Sequence, residues 1–318
     1  MGELDTDRDA TTGQASAYGP MLPALLGAAL LSLGADCGPG PPVLLYGVPA
    51  PEEPDSFGHF TSDQVWTDLS VGTEQSCGLT DAGEVRCRGF EGAETPQGPS
   101  GPYTELAVGT DVCALDSDRL PRCWPDRVGN SASVPPRERP LRGLSAASGV
   151  GCGITDDGGI VCWGDDEGLG TPPEDASGYS QVAVGELRTC ALNLQGELSC
   201  WGGLATENPP SGRFVDVASG FAVSCAVSEA GVLTCWGDLE YMGAHPNERA
   251  LMVDLHWSTG CVLTADRAVL CWGANIVPGR YADGPFVKVD VGRDGGCGLD
   301  EDGGVECWRF EEEQAAAR

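Results

Sequence analysis

Positive charge is what this chain lacks most. Its 318 residues hold 18 lysines and arginines against 48 acidic residues, a formal net charge of −30. Lysine is all but missing, with Lys288 the single case. Such a balance excludes nucleic acid and anionic membrane surfaces as partners, because both would repel it. Histidine is scarce too. His59, His245 and His256 stand in no metal-binding or nucleophile–base spacing, and no glycine-rich phosphate loop occurs. No catalytic residue, metal site or cofactor is therefore expected, although carboxylates are plentiful enough for a glycosidase-like pair. Long hydrophobic runs are absent as well. The longest, Leu22 to Ala35, is too short to span a bilayer but suits the apolar part of a secretory signal.

That run has no basic residues before it, so two starts stay open, Met1 and Met21. It ends at Cys37 and resembles a lipoprotein signal in which Cys37 would carry the lipid. Leu33, however, stands four positions before Cys37, and Asp36 directly precedes it. Residues 1–37 are read as this leader and 38–56 as a Pro- and Gly-rich tether. Residues 57–310 form the folded part, and 311–318 an acidic and alanine tail.

Glycine (47), proline (23) and cysteine (15) are abundant instead. Fourteen of the cysteines fall in seven pairs with nine residues between partners: Cys77/Cys87, Cys113/Cys123, Cys152/Cys162, Cys190/Cys200, Cys225/Cys235, Cys261/Cys271 and Cys297/Cys307. The units recur every 35 to 39 residues and leave Cys37 over. Two residues after each first Cys stand Leu79, Leu115, Ile154, Leu192, Val227, Leu263 and Leu299. The residue directly after it is small in all but one unit: Gly78, Ala114, Gly153, Ala191, Ala226, Val262, Gly298. A Trp follows the second Cys in six units, and Arg88 takes that place in the first.

This period of two on both sides of a short turn predicts a β-hairpin per unit. Gly83, Gly158, Gly196, Gly231 and Gly303 fall where a three-residue loop needs a left-handed residue, and Arg119 and Arg267 take that place at some conformational cost. Asp-rich turns such as Thr155–Gly159 and Asp300–Gly304 resemble fragments of calcium loops but read as plain hairpin turns.

Centring each hairpin on its turn puts its two cysteines opposite each other, where Cα atoms lie about 4.5–5.5 Å apart, within disulfide range. Seven disulfides inside hairpins are thus expected, each closing a short loop and contributing roughly 3 kcal/mol in the chain-entropy model. Zinc would need more ligands than two sulfurs per hairpin. Reduced thiols acting as small hydrophobes are the remaining alternative. Seven exact repeats of the spacing favour oxidation and an oxidising compartment.

An extra strand precedes each hairpin: Asp68–Gly72, Glu105–Gly109, Gln181–Gly185, Asp216–Gly220 and Val289–Gly292, with shorter versions expected in units three and six. Both faces of each hairpin are apolar. Sheets packed face to face around an axis would cover them, the small residue of one sheet leaving room for a neighbour's bulky side chain. Seven such sheets closing into a ring make an all-β, seven-bladed β-propeller of three strands per blade, with a fourth sought in the connecting loops.

Gln181–Gly203, QVAVGELRTCALNLQGELSCWGG, resembles the repeat of the regulator of chromosome condensation family, in its short, cysteine-paired bacterial form. The resemblance covers residues 64–309 and implies the same seven-bladed propeller. Arg88, Pro125 and Arg309 depart from its Trp-Gly pair. It also implies that an N-terminal segment closes the ring against the last blade, and Phe57–Asp63 is the candidate.

The expected function is a non-enzymatic scaffold, exported to the periplasm, the outer-membrane surface or the extracellular space. It would be monomeric, touch a membrane only through a lipid at Cys37, and bind a protein or glycan through its loops: 89–102, 125–141, 164–178, 203–212, 237–250 and 274–285. Tyr241, Met242, His256 and Trp257 break the repeat columns and are the contact candidates, with local packing as the competing role. A secreted bacterial β-lactamase inhibitor with a similar short-repeat propeller makes inhibition of a hydrolase the second reading. Guanine-nucleotide exchange by family analogy and a glycan-acting enzyme come after it.

Overall fold

The computed structural model describes residues 60, 64–73, 75–89, 95, 98–125, 134–147, 149–164, 171–173, 177–203, 208–274 and 276–310, without the side chain of Tyr241. The leader with Cys37, the tether, the tail and all of the candidate closing segment except Phe60 lie outside them.

The described residues hold twenty-two strands in seven antiparallel sheets. Blade 1 is Trp66–Val71, Gln75–Thr80 and Val85–Gly89. Blade 2 is Tyr103–Val108, Asp111–Asp116 and Pro121–Pro125, and blade 3 is Arg142–Ala147, Val150–Ile154 and Ile160–Gly164. Blade 4 is Tyr179–Val184, Thr189–Asn193 and Leu198–Trp201, and blade 5 is Phe214–Ser219, Val223–Ser228 and Leu233–Gly237. Blade 6 adds a fourth strand to its three: Ala250–His256, Thr259–Thr264, Val269–Gly273 and Gly279–Ala282. Blade 7 is Phe286–Val291, Gly295–Asp300 and Val305–Arg309. Each blade runs inner, middle, outer in chain order. The inner strands of blades 3 and 6 are not short. Blade 3's has the usual six residues and blade 6's has seven, because apolar and polar residues alternate as far as His256.

The two cysteines of every repeat face each other across the middle and outer strands. All seven pairs are bonded: Cys77–Cys87, Cys113–Cys123, Cys152–Cys162, Cys190–Cys200, Cys225–Cys235, Cys261–Cys271 and Cys297–Cys307. Their Cα atoms are 4.0–4.1 Å apart, closer than the spacing expected of an opposed pair. A bond between the side chains holds the two strands tightly at that rung. The members of a pair are not equally covered. The middle-strand cysteines are buried in every blade, whereas Cys87, Cys123, Cys162, Cys200, Cys235 and Cys307 on the outer strands are half-buried. Cys271 is the exception at 2% exposure, because among the described residues blade 6 alone has a fourth strand and its Gly279 lies opposite Cys271.

The turn between these strands explains the repeated glycine. Its third residue is left-handed in every blade, from Gly83 at φ 77° to Gly303 at 82°, with Arg119 at 60° and Arg267 at 64°. The carbonyl of that residue then accepts the N–H that opens the next blade's inner strand. The pairs run Gly83 to Tyr103, Arg119 to Leu141, Gly158 to Tyr179, Gly196 to Phe214, Gly231 to Ala250 and Arg267 to Phe286. Gly303 does the same for Trp66 at 3.0 Å, which joins the last blade to the first.

Seven hydrophobic clusters fill the seven seams, each pairing the disulfide face of one blade with the inner strand of the next. Between blades 1 and 2, Cys77, Leu79 and Cys87 meet Tyr103, Leu106, Val108 and Trp124. In the closing seam Cys297, Leu299 and Cys307 meet Trp66, Leu69 and Val71. Arg88, in blade 1's Trp column, is exposed, and Phe60 joins this cluster edge-on to Trp66 with ring centroids 4.8 Å apart.

The packing inside the blades corrects one expectation. The small residue after the first Cys makes room inside its own blade, not for a neighbour. A Cβ on Gly78 would strike Trp66 at 2.5 Å, and one on Gly298 would strike Phe286 at 2.6 Å. In blade 6 the volumes are exchanged, with Ala250 on the inner strand and Val262 after the cysteine.

Candidate functional site

The inner strands have no strand on their axial side, so their outward-facing N–H groups need other acceptors. Polar side chains projecting from the preceding blade supply them. Asp68 accepts from Leu106 N at 3.2 Å, and Glu105 from Gly143 N at 3.1 Å and from Leu144 N. Asp216 accepts from Val253 N at 2.7 Å, Asp254 from Val291 N at 2.7 Å, and Asp290 from Val71 N at 2.6 Å. Ser70 and Ser145 serve Val108 N and Val184 N in the same way. Gln181 donates to Asp216 Oδ1 at 2.7 Å, and the lone Lys288 to Asp68 Oδ1 at 2.5 Å.

Many of these groups line a central cavity of about 200 Å³. Burial raises the carboxyl of Glu105 despite its two N–H bonds, and takes Asp216 up to about 6. Asp290 is pushed up to about 7 by burial, with Lys288 opposing, and Asp254 is raised by burial and by Asp290 beside it. Burial alone would lower Lys288, but the carboxylates of Asp68, Asp290 and Asp254 outweigh it and hold the ammonium above its usual range.

One end of the cavity opens among the loops joining inner to middle strands. Thr73, Glu186, Phe221, Trp257 and Arg293 stand in one column there, four residues before the first cysteine of their units. Phe221 and Trp257 stack with centroids 5.4 Å apart and planes 16° from parallel, and they remain 38% and 50% exposed. Phe221 N–H donates to Trp257 O at 2.9 Å. Trp257 has φ 53°, a left-handed conformation costly for a bulky residue. Glu186 lines the cavity and accepts from its own and Trp257's N–H. Burial pushes it up to about 7, and its Oε2 has no partner. His256 takes a column where Gly72, Gly185, Gly220 and Gly292 stand elsewhere. It is half-buried 3.4 Å from Thr73 Oγ1, and burial first and Arg293 second hold it down at about 4.

Of the four contact candidates, the structure brings His256 and Trp257 to this rim. Met242 is 1% exposed and packs between blades 5 and 6, so its departure from the repeat is a packing feature and not a contact. Tyr241's side chain lies outside the described residues, as do parts of loops 89–102, 125–141, 164–178 and 203–212. The bonded cysteines stand apart from the rim: they pack in the seams between blades, and the cavity lining holds none of the fourteen. Phe221 and Glu186 were not singled out by the repeat pattern, although Phe221 is the only other aromatic in Trp257's column. Among the described residues no three His, Cys, Asp or Glu side chains are grouped to hold a metal ion, and no helix is long and apolar enough to cross a membrane.

No family model and no curated protein matches the chain. Solved structures do. The entire ectodomain of the Physcomitrella patens receptor kinase CR4 matches with a TM-score of 0.64 and 22% identity, over 78% of this chain and 74% of that one. The CRINKLY WD40 ectodomain of the Arabidopsis thaliana receptor kinase ACR4 matches at 0.55 and 23%, over 65% and 79%. Prp20p of Saccharomyces cerevisiae, the yeast RCC1, matches at 0.58 and 13%, over 78% and 83%; its structure was described with its binding properties to Gsp1p and histones. At these identities the likeness is one of fold: this chain is an RCC1-like, cysteine-paired, seven-bladed propeller.

Proposed function

We propose that this propeller is an exported, non-catalytic scaffold that binds a protein partner with the inner-loop end of its ring. The observation carrying this reading is the Phe221–Trp257 pair, held exposed on a rigid rim at the cost of a left-handed tryptophan. Strained, exposed aromatics on a disulfide-stapled frame suit recognition better than packing. The inner-strand acids Asp68, Glu105, Asp216, Asp254 and Asp290 each hold a neighbouring blade's amide, a structural task that competes with acid–base work. Seven disulfides and the apolar leader support export. The ectodomain neighbours agree with that compartment.

The test is made with disulfide-intact protein from a secretion-competent host. Mass spectrometry with and without reduction should find seven bonds, and the mature N-terminus reports processing at Cys37. Immobilised wild type should then capture a protein from envelope or culture fluid that Trp257→Gly loses. Turnover on a glycan or ester panel, or a partner held equally well by Trp257→Gly, would overturn the reading.

A further inference from the structure

We propose that the channel mouth receives an arginine side chain of the protein partner, its guanidinium lying against the Phe221–Trp257 pair and facing the carboxylate of Glu186. This rests on the protein-binding reading above and gives that partner its chemistry. Three independent features at one place select a cation. The exposed ring faces carry the negative side of their quadrupoles, which attracts a guanidinium more strongly than an ammonium because the planar group also stacks. Bonded to the backbone N–H of Trp257, Glu186 borders the cavity with Oε2 left without a partner. A largely buried carboxylate oxygen with nothing donating to it is costly unless something arrives to satisfy it. Deeper in, the lining carries the carboxyls of Asp216, Asp254 and Asp290 beside the one Lys288, and the field of the whole −30 chain draws positive charge towards the molecule.

The protein's own cations do not fill this place. Arg293 stands in the same rim column on the His256 side and lies 3.8 Å from Asp294, and Arg188 is buried with a partner of its own. The backbone of Trp257 gives the same indication. Gly would sit at φ 53° without strain, yet a tryptophan is held there with half its surface in water.

The probe is a blocked Gly-Gly-Arg-Gly-Gly peptide, titrated into the intact protein while the Trp257 indole N–H is followed by NMR. Three companion peptides replace arginine with lysine, glutamate or citrulline, the last having the same shape without the charge. Arginine should bind about tenfold more tightly than citrulline, with lysine between and glutamate absent. Glu186→Gln keeps an acceptor for Trp257 N–H but loses the charge, and should weaken arginine binding about fivefold. Glu84→Gln, which removes one exposed charge in the turn at the opposite end of blade 1, should leave it unchanged. Trp257→Gly should abolish binding while the melting temperature holds or rises, an outcome that a packing role would reverse. Citrulline binding as well as arginine, equal affinity in Glu186→Gln, or preference for a neutral oligosaccharide would sink the proposal. Partner capture then separates the two readings. If Glu186→Gln keeps the captured protein and Trp257→Gly loses it, the scaffold stands and the arginine is wrong. If both keep it, the rim is not the interface.

Discussion

At the scale of single residues, the same backbone position asks different things of different side chains. The left-handed turn residue touches the next blade, and at Gly196 a Cβ would meet Phe214 O at 2.8 Å as well as adopt φ 78°. Gly196→Ala should therefore cost about 1–3 kcal/mol, read as a lower urea midpoint. Arg119 and Arg267 accept the strain and reach across instead, Arg119 to Asp156 at 2.7 Å and Arg267 to Glu301 at 3.0 Å. Both pairs are exposed, so they contribute little. Relief of the positive φ is of similar size, and Arg267→Gly should leave stability within about 0.5 kcal/mol of wild type or raise it. Lys288 is a different case. The chain's only lysine stands half-buried between blades 7 and 1, opposite Asp68 and within the field of Asp254 and Asp290. Replacing it with Met leaves those acids uncompensated, at an expected cost of about 1–3 kcal/mol, between the exposed and buried limits for broken ion pairs.

At the scale of the strand, the inner edge is completed by the neighbouring blade, and this makes stability depend on pH. Asp216 at about 6 and Asp290 at about 7 lie above the ordinary Asp value of 3.8, as Glu186 at about 7 lies above 4.5. A carboxyl raised in the folded state binds its proton more tightly there. Its contribution is complete below about pH 4 and is lost as pH climbs through the folded values. His256, held at about 4 against 6.5, works the other way, favouring the fold above 6.5 and losing that as pH falls towards 4. The carboxyls outnumber it, so the urea midpoint should be higher at pH 5 than at pH 8. Asp290→Asn should flatten the difference while its amide oxygen still accepts from Val71. A midpoint that rises from pH 5 to pH 8 would contradict this account.

This layer also marks the limit of what was legible in the sequence. Alternation, turn position and cysteine spacing are properties of one repeat, and they yielded the strands, the left-handed turn residues and the facing cysteines directly. The polar residue opening DLSVG, ELAVG and DVASG was in plain view. Its task, holding the next blade's amide, depends on the rotation between sheets, which no single repeat encodes. For the same reason Met242, which breaks the repeat columns, belongs to the core, and the pairing of Phe221 with Trp257 shows only once adjacent blades are placed side by side.

At the scale of the ring, closure leaves no end. The seam between blades 7 and 1 has the backbone grip of Gly303 on Trp66 and a filled hydrophobic cluster, as the other seams have, together with the amide capture of Val71 by Asp290. Every blade is therefore covered on both faces, and freeing one means breaking two seams. The middle-strand sulfurs are shut away, with Cys77, Cys152, Cys190, Cys225, Cys261 and Cys297 at 0% exposure and Cys113 at 2%. Their outer-strand partners Cys87, Cys123, Cys162, Cys200, Cys235, Cys271 and Cys307 pack into the same seam clusters. Both cysteines of a bond thus pack against the next blade, and while the seams hold a reductant can approach only from the half-buried outer-strand side, which in blade 6 is covered as well. Each bond contributes about 3 kcal/mol in the chain-entropy model, against about 5–15 kcal/mol for the net stability of a typical domain. Losing two or three should remove what holds the rest, and the remaining bonds then follow quickly. Under native conditions with dithiothreitol, pulse alkylation and intact mass measurement should thus find molecules with all seven propeller bonds or none, and few between. An open stack of repeats would behave otherwise, its end blades yielding first. A graded series of masses, with Cys77–Cys87 and Cys297–Cys307 reduced ahead of the others, would mean that the seam between blades 7 and 1 does not hold in solution.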